Sequence, residues 1–414
     1  MTTSPLRASP LIIGLVGLAT SGLSGAVAGP QQPPAPPAPK HQPAPPPAQV
    51  GDPLAGAPLD QFLAGKADFN EVETLQANGL GPTFNGNSCA QCHGVPAVGG
   101  SSSITVIRAQ KYDAATGTVT ELPGGSLFNR FAIDPRVQEV VPPQANVVSL
   151  RRSPPIFGDG LIEAIPDATI AAIAFDQEYA GSGKGDQVSE IHGRPNMVQD
   201  LVTKQTHVGR FGWKAQHSSL LDFAGDAYMN EMGITNELFP HGRVENGDLA
   251  KYLLGLSLEP FPDPKDTSGD IYTFTDFMRF LAPPPRGPIT KDVTKGEKIF
   301  AATGCAICHV PTMLTGVSPY PFLSGQPVNL YSDLLLHDVG TGNSVAQSGA
   351  GAFEVKTPPL WGLRFRTGFL HDQSMSTVRQ AIEAHGGEAA SVIAAFDDLK
   401  DKDVQDLLAF LGSL

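Results

Sequence analysis

Only four of the 414 residues are cysteine and only two are tryptophan. Four cysteines cannot brace a chain of this length as a disulfide scaffold. Charged residues make up 17%, below the usual quarter. Basic residues are the scarcer sign: 28 Lys+Arg face 41 Asp+Glu, a formal net charge of −13. That argues against nucleic acid, whose phosphates select basic faces. Beyond the N-terminal stretch no apolar run approaches the ~18 residues of a membrane helix, so no membrane span is expected after that stretch is cleaved. The excess is in glycine (45) and proline (38), which by composition suits a loop-rich globular chain or a partly disordered one. The length is ample for a buried core and is a prior for two or three domains.

The N-terminus accounts for part of that excess. Residues 1–28 read as a secretory signal peptide, with Arg7 in the n-region, an apolar stretch from Leu11 to Val27, and the A-x-A site Ala26-Val27-Ala28. Export to the periplasm is the expectation. Residues 29–51 read as a Pro-rich disordered or polyproline-like linker.

Every cysteine falls in one of two motifs, Cys89-Ala90-Gln91-Cys92-His93 and Cys305-Ala306-Ile307-Cys308-His309. C-x-x-C-H is the c-type haem attachment pattern. Two thiols add to the haem vinyl groups, and the adjacent imidazole reaches the iron. A zinc ribbon would put its pairs ~15–20 residues apart, and a thioredoxin-like pair needs no following histidine. The expected cofactors are two covalently bound haem c groups. Cys89, Cys92, Cys305 and Cys308 would form the thioethers, with His93 and His309 as proximal iron ligands. No thiol remains for other chemistry.

The expected fold is mainly α: two cytochrome c-type haem domains with long loops and a small β-hairpin in the first. Pro283-Pro284-Pro285 and Pro288 divide an N-terminal haem domain (52–285) from a C-terminal one (286–414). Helices are predicted for Leu59 to Leu75, after an Asp167 cap, for Ser218 to Met232, Tyr272 to Leu281 and Val293 to Ala302, and after an Asp401 cap. Ile104–Arg108 and Thr118–Leu122 alternate as a hairpin would.

A haem enzyme needs an open sixth position, whereas a carrier usually fills it with His or Met. After His93 no histidine follows until His192 and no methionine until Met197. The first haem therefore reads as open, with His192, His207, His217 and His241 as distant alternatives. After His309 come Met313, His337, His371, Met375 and His385. His385 is favoured as the sixth ligand of the second haem, because Gly386 and Gly387 let backbone approach the ring. Met375 is its rival. His337 and His371 each precede an aspartate and suit polar roles.

These segments together resemble the di-haem oxidoreductase family, also labelled thiol oxidoreductase-like, and more distantly the bacterial di-haem cytochrome c peroxidases and MauG-type enzymes. The matching stretches are NSCAQCHGVPAVGG (87–100), RRSPPIFGDGLIEAIPD (151–167), GRFGWKAQ (209–216), DAYMNEMGIT (226–235), GCAICHVP (304–311), YSDLLLHDVG (331–340), TPPLWG (357–362) and LHDQSMSTVRQAIEAHGGEA (370–389). The resemblance implies a peroxide-reducing N-terminal haem and an electron-relaying C-terminal haem. It also implies a calcium ion between domains, to which the Lys356-Thr357-Pro358 turn offers backbone oxygens. The relatives' His-Asp-Gly segment stands here as His371-Asp372-Gln373, and their methionine ligand falls near His385, so the second haem would be bis-His.

Peroxide chemistry needs a distal base to move a proton to the leaving oxygen. Glu163, amid apolar residues, is the catalytic candidate; its structural alternative is a pair with Arg151 or Arg152. Gln144 and Gln216 are weaker distal candidates. Trp213 and Trp361 are each either an inter-haem residue or a packed core indole. Expected partners are hydrogen peroxide or another small oxidant and a small redox donor protein, such as a cytochrome or a cupredoxin. The alternatives are a di-haem electron carrier without its own substrate and a MauG-like protein oxidase or oxygenase.

Overall fold

The computed structural model describes residues 49–180, 190–342 and 345–414. The expected signal segment and nearly all of the proline-rich stretch lie outside the described residues. The first part carries α1 (Leu59–Phe69), α2 (Asp159–Glu163), α3 (Asp167–Ala180), α4 (Leu220–Met232), α5 (Leu249–Leu258) and α6 (Asp270–Phe280). Beyond the proline run follow α7 (Lys291–Ala302), α8 (Val378–Glu383), α9 (Ala390–Asp397) and α10 (Asp401–Leu411).

Each C-x-x-C-H motif follows a helix that is crossed by a later helix. α1 packs on α6, and α7 packs on α10. Both crossings are made at a glycine. A Cβ on Gly65 of α1 would lie 2.3 Å from the Thr273 carbonyl oxygen, and one on Gly296 of α7 would lie 1.9 Å from that of Asp406. Helix axes this close leave no room for a side chain. Around the crossings the apolar stripes interlock: Phe69 and Phe277 ring centroids lie 4.9 Å apart, and those of Phe300 and Phe410 5.2 Å. Each such buried side chain contributes roughly 1.5–3 kcal/mol.

Helix ends follow local chemistry. Ser219 caps α4 by accepting from Asp222 N–H, and Thr290 caps α7 by accepting from Val293 N–H. α1 stops at Phe69 rather than Leu75, because Asn70 closes it and donates to the Lys66 carbonyl at 2.6 Å. Asp401 is not the cap of α10. It is the first helical residue, after Lys400, where its charge suits the helix N-terminus. α5 escaped the pattern reading because its leucines cover more than one face, leaving Leu249 and Leu253 exposed. Its cap, Asp248, accepts from Ala250 and Lys251 N–H.

The fold is mixed rather than mainly α, with 34% helix and 14% strand. A hairpin forms between β1 (Thr105–Asp113) and β2 (Thr118–Thr120), with Tyr112 opposite Val119, but Lys111–Asp113 make it and not the expected Ile104–Arg108 stretch. It is part of a larger antiparallel sheet. β3 (Leu127–Phe128) and β4 (Val147–Arg152) also pair with β1, the latter from Thr105↔Arg152 to Gln110↔Val147. β4 has inverted polarity. Ser149 and Arg151 face inward, while Val148 and Leu150 face solvent.

The largest core cluster joins Phe62, Phe69, Ile156, Phe274 and Phe277 to Met313, Leu323, Val328, Leu334, Leu335 and Trp361. It therefore runs across the expected boundary at 285/286. A second cluster, including Val293, Phe300, Phe396, Leu407 and Phe410, belongs to the C-terminal part alone. Among the described residues no helix is long and apolar enough to cross a membrane.

Gly296→Ala is expected to destabilise the protein by about 1–3 kcal/mol, because the added methyl drives α7 off the α10 backbone. Gly242→Ala, whose methyl would meet nothing nearer than 3.8 Å, is the control and should fall within ~0.5 kcal/mol of the parent. Thermal unfolding followed by circular dichroism measures both, and equal melting temperatures would refute the crossing argument.

Candidate functional site: two cavities beside Trp213

Each C-x-x-C-H motif opens onto a large cavity. The first holds about 1150 Å³ of atom-free space and the second about 1310 Å³, their solvent-facing mouths included. Cys89, Cys92 and His93 line the first; Cys305, Cys308 and His309 line the second. No disulfide joins the four cysteines. Burial pushes Cys89 up to about 12 and Cys92 up to about 11.

The histidines are held in one tautomer. His93 Nδ1 lies 3.1 Å from the Gly100 carbonyl oxygen, and His309 Nδ1 lies 3.0 Å from that of Tyr331. A carbonyl only accepts, so each Nδ1 carries the proton and each Nε2 keeps a free lone pair. This is the outer support that a metal-binding imidazole needs. Burial lowers both rings to about 4, so they stay neutral. His385 repeats the arrangement: its Nδ1 donates to the Ala381 carbonyl at 2.6 Å, and the ring lines the second cavity with His309. Met375 is not among that cavity's lining residues.

The remaining histidines are placed differently. His337 lies between Asp333 and Glu388, at 2.9 and 2.8 Å, so both ring nitrogens are taken. His207 pairs with Asp167 and His217 with Asp226. His192 and His241 are exposed. His93 is the one histidine lining the first cavity among the described residues. His371 lines the second cavity, with a buried Nε2 that has no partner.

Trp213 lines both cavities. Its indole N–H donates to the Arg152 carbonyl at 2.6 Å, and its ring meets His371 edge-on with centroids 6.1 Å apart. Trp361 lines neither large cavity; it is buried against Gly158 in the first core. Glu163 lines neither cavity. Its carboxylate accepts from Arg279 at 2.6 and 3.1 Å and from Leu220 N–H at 2.9 Å, which ties α2 to α6 and α4. Its partner is thus Arg279, not Arg151 or Arg152. Gln216 does line the first cavity.

Sequence reasoning passed over the acids of the first cavity. Ala224, Ala227, Tyr228 and Glu231 share one face of α4, and Asp226 lines the same cavity. Two alanines and a glutamate at helical spacing on an otherwise apolar face were the available signal. Burial pushes Glu231 up, and Arg108 and Asn85 partly offset it. Burial also pushes Asp226 up, but His217 and Arg108 bring it below its ordinary value. Behind Tyr228 its hydroxyl lies 3.0 Å from Glu73 and 3.2 Å from Asp270. One hydroxyl proton cannot serve two carboxylates, and burial raises Glu73 to about 7.

Residues 141–414 match the family described as "Di-haem oxidoreductase, putative peroxidase". The chain belongs to that family, and it is an oxidoreductase with two haem cofactors. No curated protein matches it. Solved structures with partial likeness include a MauG-like protein associated with microbial copper homeostasis, at 15% identity and TM-score 0.41, covering 89% of this chain and 93% of that one. Another is the diheme peroxidase BthA from Burkholderia thailandensis, at 14% identity and TM-score 0.39, covering 86% of each chain. Hydrazine synthase from Kuenenia stuttgartiensis shares 15% identity at TM-score 0.41, covering 93% of this chain and 100% of that one.

The residues present fit two haems. Besides a C-x-x-C-H motif, each cavity presents a cation whose buried Nε lacks a partner: Arg151 in the first and Arg366 in the second. Burial, with Arg152 nearby, lowers Arg366 to about 10. Unpaired buried guanidinium edges are complementary to carboxylates such as haem propionates.

Glu73 has a pH consequence. Its carboxyl keeps its proton to about 7 in the folded state, whereas the ordinary value is 4.5. The unfolded chain therefore loses that proton first, and stability falls as pH rises from about 4.5 to about 7. Glu73→Gln should be more stable than the parent at pH 8, with the difference closing towards pH 4.5. Melting temperatures across that range test it, and a constant offset would refute it.

Proposed function

We propose that this chain is an exported c-type di-haem peroxidase of two cytochrome c-like halves. It reduces hydrogen peroxide in the first cavity with electrons received through the second. The observation that carries the reading is Trp213, whose side chain walls both cavities, each with its own C-x-x-C-H motif. Thioethers at Cys89, Cys92, Cys305 and Cys308 would hold the haems. His93 and His309 would be proximal ligands, and His385 would close the second site. When bound, the haems supply redox-active iron for the oxidant on one side and for the donor's electrons on the other.

The reaction consumes one peroxide, two electrons and two protons and yields two waters. The protein's task is to manage the protons. Glu231, whose burial favours the protonated form, is suited to hold and release one at its carboxyl. Asp226, paired with His217 at 3.3 Å, stays ionised and fixes the local charge. Arg108, which also lines the cavity, balances both acids. Gln216 adds an amide to the same wall. In the second cavity His385 is aimed by the Ala381 carbonyl, which favours a closed, electron-holding site over a reactive one. The donor would be a small soluble redox protein.

Glu231→Gln should cut peroxide turnover by roughly 10²–10⁴-fold while both haems remain attached by mass spectrometry. His385→Gly should turn the second centre from low-spin to high-spin in the electron paramagnetic resonance spectrum. If both parent centres are low-spin and unchanged by peroxide, the chain is an electron carrier and the enzymatic reading fails.

A further inference from the structure

Lys214 is fully buried, at 0% exposure. Its Nζ donates to three backbone carbonyls, those of Gly351 (2.9 Å), Ala352 (3.1 Å) and Glu354. These three bonds use every N–H of the charged form and leave no donor free. Burial and Arg151 lower the Lys214 amine to about 7, only partly offset by Glu354 and Asp338; three carbonyl acceptors nevertheless match the three N–H donors of the ammonium and not the two of a neutral amine. A buried cation facing only carbonyl oxygens is what a bound metal ion would look like, here tethered to the chain.

The cradle belongs to a segment that the N-terminal part grips along its length. Gln110 exchanges two hydrogen bonds with Ala346, and Arg151 donates to Gln347. Asn196 donates to the Ser348 carbonyl and Arg194 to that of Gly349. The segment ends at Lys356, whose N–H donates to the Trp213 carbonyl at 2.8 Å. Trp213 is thus fixed by its own carbonyl, by its indole N–H and by the anchored side chain of the next residue.

We propose that Lys214 is a positioning residue: its ammonium is a tethered cation that locks the 351–356 segment and so holds Trp213 between the two redox cavities. This rests on the reading of Trp213 as the residue between the two haems. It assigns to a side chain the bracing that a calcium ion would otherwise supply, so electron exchange between the centres should not depend on added metal.

The test uses the holoprotein. Exchange of one electron between the centres is followed by stopped-flow absorbance after substoichiometric reduction. Lys214→Ala should slow it by on the order of tenfold or more, because small misplacements of an intervening group cost rates of that size. n-Propylammonium, which matches the deleted atoms, should restore the rate, and n-propanol should not. Lys214→Met, which fills the space without charge, should be slow and unrescued. EDTA should leave the parent rate unchanged. Parent-like rates in both variants, a slow Lys214→Ala that propylammonium does not restore, or a parent rate lost to EDTA and regained with calcium would each overturn the proposal. If neither variant accumulates, amide exchange across 351–356 in the parent decides: unchanged by EDTA supports the tethered cation, collapse overturns it. If the parent centres exchange no electrons, the functional reading fails by itself. Amide exchange that is faster in Lys214→Ala and slowed again by propylammonium would still uphold the clamp.

Discussion

The structure depends on how it manages positive charge out of water. Arg151, Arg152, Lys214 and Lys356 are all buried, and they cluster around Trp213 and the two cavities. A buried cation costs several kcal/mol unless dipoles or anions surround it. The chain meets that cost in two ways. Lys214 is wrapped in carbonyls, and Arg152 donates to the Ser101 hydroxyl and to the Gly368 carbonyl. Lys356 shares its region with the buried Asp159: burial pushes the lysine down and the acid up, and each partly offsets the other. Arg151 and Arg366 keep one Nε unpaired, on opposite cavities. A protein that holds cations in this incomplete state is built for anionic groups at those places.

The same arrangement explains why the molecule joins where it does. The N-terminal part presents Gln110, Arg151, Arg194, Asn196 and Lys214, while the 345–356 segment answers mostly with backbone oxygen, joined by the Gln347 side chain at Arg151 and the Glu354 carboxylate at Arg194. Main-chain acceptors cannot swing away as side chains do, so the contact is stiff. The stiffness falls where geometry matters most, behind Trp213, which lines both cavities. Histidine orientation obeys the same rule. His93, His309 and His385 are each aimed by a carbonyl rather than by a mobile carboxylate.

Much of this was legible in the chain. Both C-x-x-C-H motifs and the flanking helices follow from spacing and periodicity, because local chemistry determines them, whereas GRFGWKAQ stood out only through the family resemblance. Glu163 shows where such reading stops. Its apolar flanks suggested a cavity acid, yet Arg279, over a hundred residues away, claims both oxygens. β4 was missed for a related reason. Its polar residues face inward and its valine and leucine outward, so the usual alternation reads inside out. The site it serves needs Arg151 and Arg152 indoors. The acids of α4 went unrecognised because a helix face becomes a cavity wall only when another element stands back from it.

The core that straddles the proline run bears on modularity. The chain looks like two beads on a string, each with a motif and a glycine-crossed helix pair. Yet the first bead borrows Met313, Leu323, Val328, Leu334, Leu335 and Trp361 from beyond residue 285. A fragment ended at the prolines would leave Phe280 without the Tyr320 and Phe322 rings and Gly158 without the Trp361 indole that covers it. The halves are therefore not interchangeable cassettes. A nascent chain cannot finish its first half until most of its second has been made.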